Sequence, residues 1–335
     1  MEEALDAERA LALYRTMARI RAFEDAAEEA SKGGVAAFGA SLSAAKVRGP
    51  LHLSTGQEAV AAGVCAHLRK SDLLTSTHRG HGHTIAKGAA LGRMMCELFG
   101  RAPGTNGGKG GSMHIADFSV GMLGANGVVA AGIPIAVGAA HALRMRGSDD
   151  IVTCFFGDGA VNRGPFLEGL NWAAVHALPI LFVCEDNRWA ATTEAGSVTA
   201  GEGALARAVA IGVPGAHVDG NDVFAVYDVT GQLLAQIRGG AGPRLLHCIT
   251  YRVKGHVSVD VAAYRDVAKH DKELERDPLV LAAQRIDARE QLEAIGREAR
   301  AEVAAALKIA HEAPWPEAKA AYTDVQDTGA GRWRG

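Results

Sequence analysis

One stretch of the chain combines hard oxygen donors with small residues. It reads Ile151-Val-Thr-Cys-Phe-Phe-Gly157-Asp158-Gly159-Ala160-Val-Asn162-Arg-Gly, and Asn187 follows 29 residues after Asp158 in Glu185-Asp186-Asn187-Arg188-Trp189. A carboxylate, an amide oxygen and a nearby main-chain carbonyl suit a small octahedral cation that keeps two phosphate oxygens and a water. Gly159 and Ala160 have no bulk to hold the backbone away from a diphosphate, and a helix start beyond them favours anions. Asp158 capping that helix is the plainer alternative, worth about 1 kcal/mol.

Two other groupings suggest chemistry and fail on inspection. His78-x-x-His81-x-His83 has the look of a zinc set, but no Cys or carboxylate completes it within the segment. Gly104 to Ser112 has the look of a phosphate loop, but Pro103 stands where the first Gly is required, and Lys109 is followed by Gly110 instead of Ser or Thr.

The elements that must position these residues can be read from the pattern. A buried strand over Ile151–Phe156, a helix from about Pro165 to Ala177 and a strand over Ile180–Cys184 form one crossover unit. Right-handed connection makes the two strands parallel. Asp158 and Asn187 then lie at their carboxyl ends, where open α/β sheets bind ligands. Further helices are predicted over Ala4–Ala30, Gly56–Leu68, Thr84–Phe99, Ile133–Arg146 and Asp277–Glu312, and another strand over Arg244–Tyr251. Residues 31–49 and the tail after Pro314 read as loop, with Trp315 and Trp333 as docking anchors. The alternation predicts an α/β fold, a mostly parallel sheet with helices on both faces and helical extensions at both ends. We expect one domain, a core over about 10–275 and a helical extension and tail over 277–335.

Composition narrows the functional classes. The 335 residues carry a formal net charge of −3, without the basic stripe of a nucleic-acid binder. The longest apolar run, Val128–Leu143, is short of a membrane span and contains Pro134 and His141. Five cysteines scattered through apolar runs, and an acidic start unlike a signal peptide, predict a reduced cytoplasmic protein.

Gly-Asp-Gly with its closing Asn resembles the thiamine-diphosphate motif. Gly56-Gln57-Glu58-Ala59, His78-Arg79-Gly80-His81-Gly82, Gly108-Lys109-Gly110-Gly111-Ser112-Met113-His114, Asn126-Gly127-Val128-Val129 and Thr250-Tyr251-Arg252 with Gly255-His256 resemble, in order, the α subunits of the pyruvate and acetoin dehydrogenase complexes. The likeness runs from about Tyr14 to Pro278. It implies thiamine diphosphate and Mg²⁺ as cofactors, with Asp158, Asn187 and the Trp189 carbonyl as metal ligands. Gly157, Asp158, Gly159, Ala160 and Asn187 would form the cofactor turn, and Arg79 and Arg252 would grip the diphosphate, where a surface ion pair is the ordinary fate of an arginine. His78 stands where many relatives have Tyr and would offer an imidazole N–H to phosphate. Gly127 and Val129 would present main-chain groups to the aminopyrimidine. His52, His81 and His256 match family histidines near the reacting carbon, His256 also bordering the cofactor.

The resemblance further implies a β subunit that supplies the missing half of the pocket, an α₂β₂ heterotetramer, and transfer of a two-carbon unit to a lipoyl-bearing acyltransferase. Acetoin is favoured as substrate over pyruvate by the wording Ser76-Thr-His-Arg-Gly-His-Gly-His83 and Asn162-Arg-Gly-Pro-Phe. A non-catalytic paralogue is the alternative of another class, disfavoured by intact Asp158, Asn187, Arg79 and Arg252.

Overall fold

A computed structural model describes residues 6–32, 46–47 and 49–323. Most of the expected 31–49 loop, and Trp333, lie outside the described residues. The helices are α1 (Ala7–Ser31), α2 (Glu58–Cys65), α3 (His81–Ala86), α4 (Leu91–Leu98), α5 (Gly132–Met145), α6 (Gly164–Val175), α7 (Gly203–Ala210), α8 (Val223–Arg238), α9 (Val267–Leu274), α10 (Pro278–Arg285) and α11 (Arg289–Glu312). The strands are β1 (Leu73–Thr75), β2 (Met122–Gly124), β3 (Val152–Gly157), β4 (Ile180–Asp186), the short hairpin β5 (Trp189–Ala190) and β6 (Thr193–Glu194), β7 (Gly215–Asp219) and β8 (Arg244–Ile249).

The sheet is parallel throughout, six strands in the order β2-β1-β3-β4-β8-β7. Its central strands are apolar on both faces because both faces are covered. Side chains alternate: Val152, Cys154 and Phe156 of β3 pack with α5 and α6, while Phe155 joins Val60 and Val64 of α2 and Val226 and Leu233 of α8 on the other face. A separate cluster joins α1, α4 and α11 through Ile20, Phe23, Met94, Met95, Val303 and Ala306.

Chain order sets the ligand position. From β1 the chain steps outward to β2, returns past β1 to β3, then continues to β4. The reversal leaves a crevice at the carboxyl ends of β1 and β3, beside β4. Gly157 pairs with Glu185 in the register, so Asp158 and Asn187 leave the sheet at one edge.

Two expected helices prove to be four. The one over Thr84–Phe99 is α3 and α4, broken at Gly88, where φ is +104°. The N–H of Ala89 reaches back to the Thr84 carbonyl at 3.1 Å, the closing bond of a left-handed glycine cap. The one over Asp277–Glu312 is α10, opened by the Asp277 cap with Pro278 behind it, then α11 after a break at residues 286–288. A short 3-10 turn, Ala318–Tyr322, interrupts the tail read as loop. Trp315 stacks under the Arg101 guanidinium at 3.8 Å.

Candidate active site

A cavity of about 330 Å³ occupies the crevice, walled by the segments that follow β1, β3 and β4. Asp158 is the first residue past β3 and is 6% exposed. Its Oδ2 is buried without a hydrogen-bond partner. Burial, with the Asp186 carboxylate behind it, pushes the Asp158 carboxyl up to about 6, while Arg252 and the main-chain N–H groups of residues 158 and 187 pull it partway back.

Asn187 leaves β4 on the same wall. Its Oδ1 accepts the Trp189 main-chain N–H at 3.1 Å, and its Nδ2 donates to Gln57 Oε1 at 2.9 Å. A main-chain N–H can only donate, so the orientation of the amide is determined. Arg188 between them takes φ +67°, turning the chain so that Trp189 lines the cavity. The Trp189 ring meets Tyr264 at 5.1 Å.

The small residues leave space that the protein does not need. A Cβ at Gly157 would meet only the Glu185 carbonyl at 3.8 Å, and one at Gly127 would meet nothing nearer than His114 Nε2 at 3.5 Å. Only Gly159 is tight, its Cβ falling 3.0 Å from that of Ala190. Ala160 is buried in the same wall, and Val129 stands half-exposed at the rim beside Val128. The anion-favouring helix start does not follow directly: a 3-10 turn over Asp158–Asn162 intervenes before α6.

Arg79 and Arg252 are both buried in the wall. Arg79 donates to the Leu53 carbonyl (2.8 Å), the His256 carbonyl (2.8 Å) and His256 Nδ1 (3.0 Å). Arg252 donates to the carbonyls of Ala191 (3.0 Å) and Lys254 (3.3 Å) and to the Tyr264 hydroxyl (3.0 Å). Among the described residues neither hydrogen-bonds a carboxylate. Burial, then the nearby Arg252, brings Arg79 down to about 9. Carboxylates act on them only from a distance, Glu24 and Glu185 on Arg79 and Asp260 and Asp158 on Arg252, so both buried forks are held by neutral groups.

His52, His78 and His256 converge on the cavity, with ring centroids 4.7 to 5.5 Å apart. Burial, then Arg79, lowers their pKa values to about 3, 2 and 4 respectively, so all three rings are neutral at pH 7. The Arg79 bond makes Nδ1 of His256 the acceptor and leaves the proton on Nε2. His52 Nδ1 is buried without a partner.

His81 does not join them, and its expected place on the substrate side is corrected. It is fully buried behind the wall, Nδ1 on Glu24 Oε2 (2.8 Å) and Nε2 on Ser112 Oγ (3.0 Å). His83 likewise turns inward, to Glu185 (3.1 Å) and Ser76 (2.7 Å). The zinc trio suggested by spacing therefore never converges. The three histidines that do converge are set against a bound guanidinium, a poor seat for a dication.

Sequence reasoning gave no role to Gln57 or Glu185, which also line the cavity. Gln57 lay in a quoted motif, but its partner Asn187 is 130 residues away.

The chain belongs to the dehydrogenase E1 component family, whose model matches residues 33–319. That family comprises thiamine-dependent oxidoreductases. The chain is 41% identical to the α subunit of acetoin:2,6-dichlorophenolindophenol oxidoreductase of Bacillus subtilis, over 96% of this chain and 94% of that one. It is 42% identical to the subunit of the same name from Cupriavidus necator, over 96% and 95%. The pyruvate dehydrogenase E1 component α subunit of Rhizobium meliloti is 35% identical, over 94% and 89%. No helix among the described residues is long and apolar enough to cross a membrane.

Proposed function

We propose that the chain is the α subunit of a cytoplasmic acetoin-cleaving dehydrogenase that holds thiamine diphosphate and Mg²⁺ in this cavity. The observation that carries the reading is one cavity lined by Asp158, whose Oδ2 has no hydrogen-bond partner, by the Gln57-held amide of Asn187 and by two buried arginines that no carboxylate hydrogen-bonds. Asp158 Oδ2, Asn187 Oδ1 and the Trp189 carbonyl would hold the metal, with hard oxygens suited to Mg²⁺. Arg79 and Arg252 would take the diphosphate, assisted by His78, and Gly157, Gly159 and Ala160 would let it lie against the backbone. Gly127 and Val129 would offer main-chain groups to the aminopyrimidine. When bound, thiamine diphosphate supplies a carbon acid that cleaves the bond beside a carbonyl.

The chain's own part at the substrate end falls to His52 and His256. His256 Nε2–H would donate to a substrate oxygen, and the neutral His52 ring would line the same end of the cavity. An uncharged trio suits acetoin, which carries no carboxylate, and the higher identity to the acetoin enzymes supports the same choice. A β subunit in an α₂β₂ assembly would close the cavity over its half-exposed rim at Val128 and Val129. The two-carbon product would pass to a lipoyl-bearing acyltransferase.

Dye reduction by the mixed α and β chains, with acetoin and pyruvate offered in turn, tests the proposal. Faster turnover of acetoin is expected. Preference for pyruvate would reassign the substrate, and failure to bind thiamine diphosphate with Mg²⁺ would leave a non-catalytic paralogue.

A further inference from the structure

The glycine run that imitates a phosphate loop does enclose an anion, and the anion belongs to the protein. Glu97, in the last turn of α4 and 1% exposed, lies at its centre. Its Oε2 accepts the main-chain N–H groups of Asn106 (2.7 Å) and Gly108 (2.9 Å); its Oε1 accepts those of Gly110 (2.6 Å) and Gly111 (3.1 Å). Successive N–H groups converging on a carboxylate form the nest that elsewhere receives phosphate. The glycines are required by it. A Cβ at Gly104 would fall 2.4 Å from Glu97 Oε2, and one at Gly108 would fall 2.5 Å from the Gly100 carbonyl carbon. Gly107, Gly108 and Gly111 all have positive φ.

The run leads straight to the cavity. Ser112 follows it, its Oγ bonded to His81 Nε2 (3.0 Å) and accepting the main-chain N–H of His52 (3.4 Å). Met113 lines the cavity itself, and His114 turns back onto the Gly110 carbonyl at 3.1 Å. Asp158, Asn187 and Arg252 make no hydrogen bond to the run among the described residues.

We infer that Glu97 is a positioning residue for the substrate end of the cavity, fastening the Gly104–Gly111 loop so that Ser112 holds the main chain of His52 and Met113 keeps its place in the cavity wall. The fastening stands on the geometry alone; its effect on turnover rests on the function proposed above. Glutamine at 97 offers one oxygen where glutamate offers two, and turns an N–H₂ toward two N–H donors. Losing even one hydrogen bond to a charged group loosens the loop by a factor of about ten or more.

The test uses the assembled α–β complex carrying Glu97→Gln, with Glu97→Asp, which keeps the charge but withdraws it by one methylene, read if the first does not assemble. Tryptic cleavage after Lys109, KM and kcat for acetoin, and the Kd for thiamine diphosphate with Mg²⁺ are measured. Faster cleavage after Lys109, a KM raised about tenfold with a smaller change in kcat, and a Kd within about twofold of wild type are expected. Unchanged cleavage overturns the fastening. Faster cleavage with unchanged KM overturns the positioning role, and so does loss of cofactor affinity in step with KM, which marks general loosening. If the wild-type complex turns over neither acetoin nor pyruvate, the proposed activity is what fails, and cleavage after Lys109 still decides the role of Glu97.

Discussion

Replacing Asp158 with asparagine should stabilise the cofactor-free complex at neutral pH while ending its response to cofactor. Burial first, then Asp186, raises this carboxyl from 3.8 to about 6. The rise of about 2 pH units corresponds to on the order of 3 kcal/mol, at about 1.36 kcal/mol per unit. Since the folded pKa lies above the unfolded one, the fold binds the proton more tightly. Below about pH 4 both states are protonated and nothing is lost; the cost of ionising the buried group grows between about pH 4 and 6 and is complete above that. Asparagine has no charge to desolvate, so its advantage in melting temperature should be smaller at pH 5 and reach a few degrees by pH 7.5. Mg²⁺ with thiamine diphosphate should raise the melting temperature of wild type and leave the variant unmoved. Scanning fluorimetry of the complex across this range measures both effects. A variant less stable than wild type at pH 7.5 without cofactor, or one that responds to cofactor as wild type does, would refute the reasoning.

Four other outcomes follow from the same geometry. Arg252→Met should weaken thiamine diphosphate binding by about 10–100-fold in calorimetry, and Arg252→Lys should not restore it, because an ammonium lacks the planar fork; a loss under about threefold would count against the anion site. Gln57→Met should raise the Mg²⁺ concentration needed for half-maximal activity by about tenfold or more, as the Asn187 amide loses the contact that orients it; an unchanged requirement would mean that Trp189 N–H alone suffices. Trp189→Phe should leave that requirement within about twofold, since the metal would see a carbonyl and not the indole; a large increase would contradict that assignment. The purified α chain alone should not turn over, and substantial activity without the β chain would show that the cavity is complete in one subunit.

The meeting of Asp158 and Asn187 at one sheet edge was legible because it is local. Strand, glycine turn, helix and strand run consecutively from Ile151 to Asn187, and parallel pairing brings the two ends together whatever the rest of the chain does. The flanking sheet strand Arg244–Ile249 was legible for the same reason, as a mostly apolar run between turns, interrupted by His247. The inward turn of two histidines was not. His78, His81 and His83 are close in sequence, yet α3 begins at His81 and turns His81 and His83 into the interior, where Glu24 and Glu185 receive them. Those partners lie 57 and 102 residues away, and nothing near position 81 announces them. Glu97 was hidden likewise: a carboxylate in an amphipathic helix ordinarily faces water, and only the fold shows four N–H groups around it. Where the helix predictions ran too long, the signal was present but weak: Lys87-Gly88 is an ordinary helix stop.

Anomalous scattering from Mn²⁺, substituted for Mg²⁺ in crystals of the α–β complex with thiamine diphosphate, tests the central assignment most directly. One strong peak is expected about 2.1 Å from Asp158 Oδ2, Asn187 Oδ1 and the Trp189 carbonyl oxygen. A peak held by other residues, or diphosphate density away from Arg79 and Arg252, would contradict it.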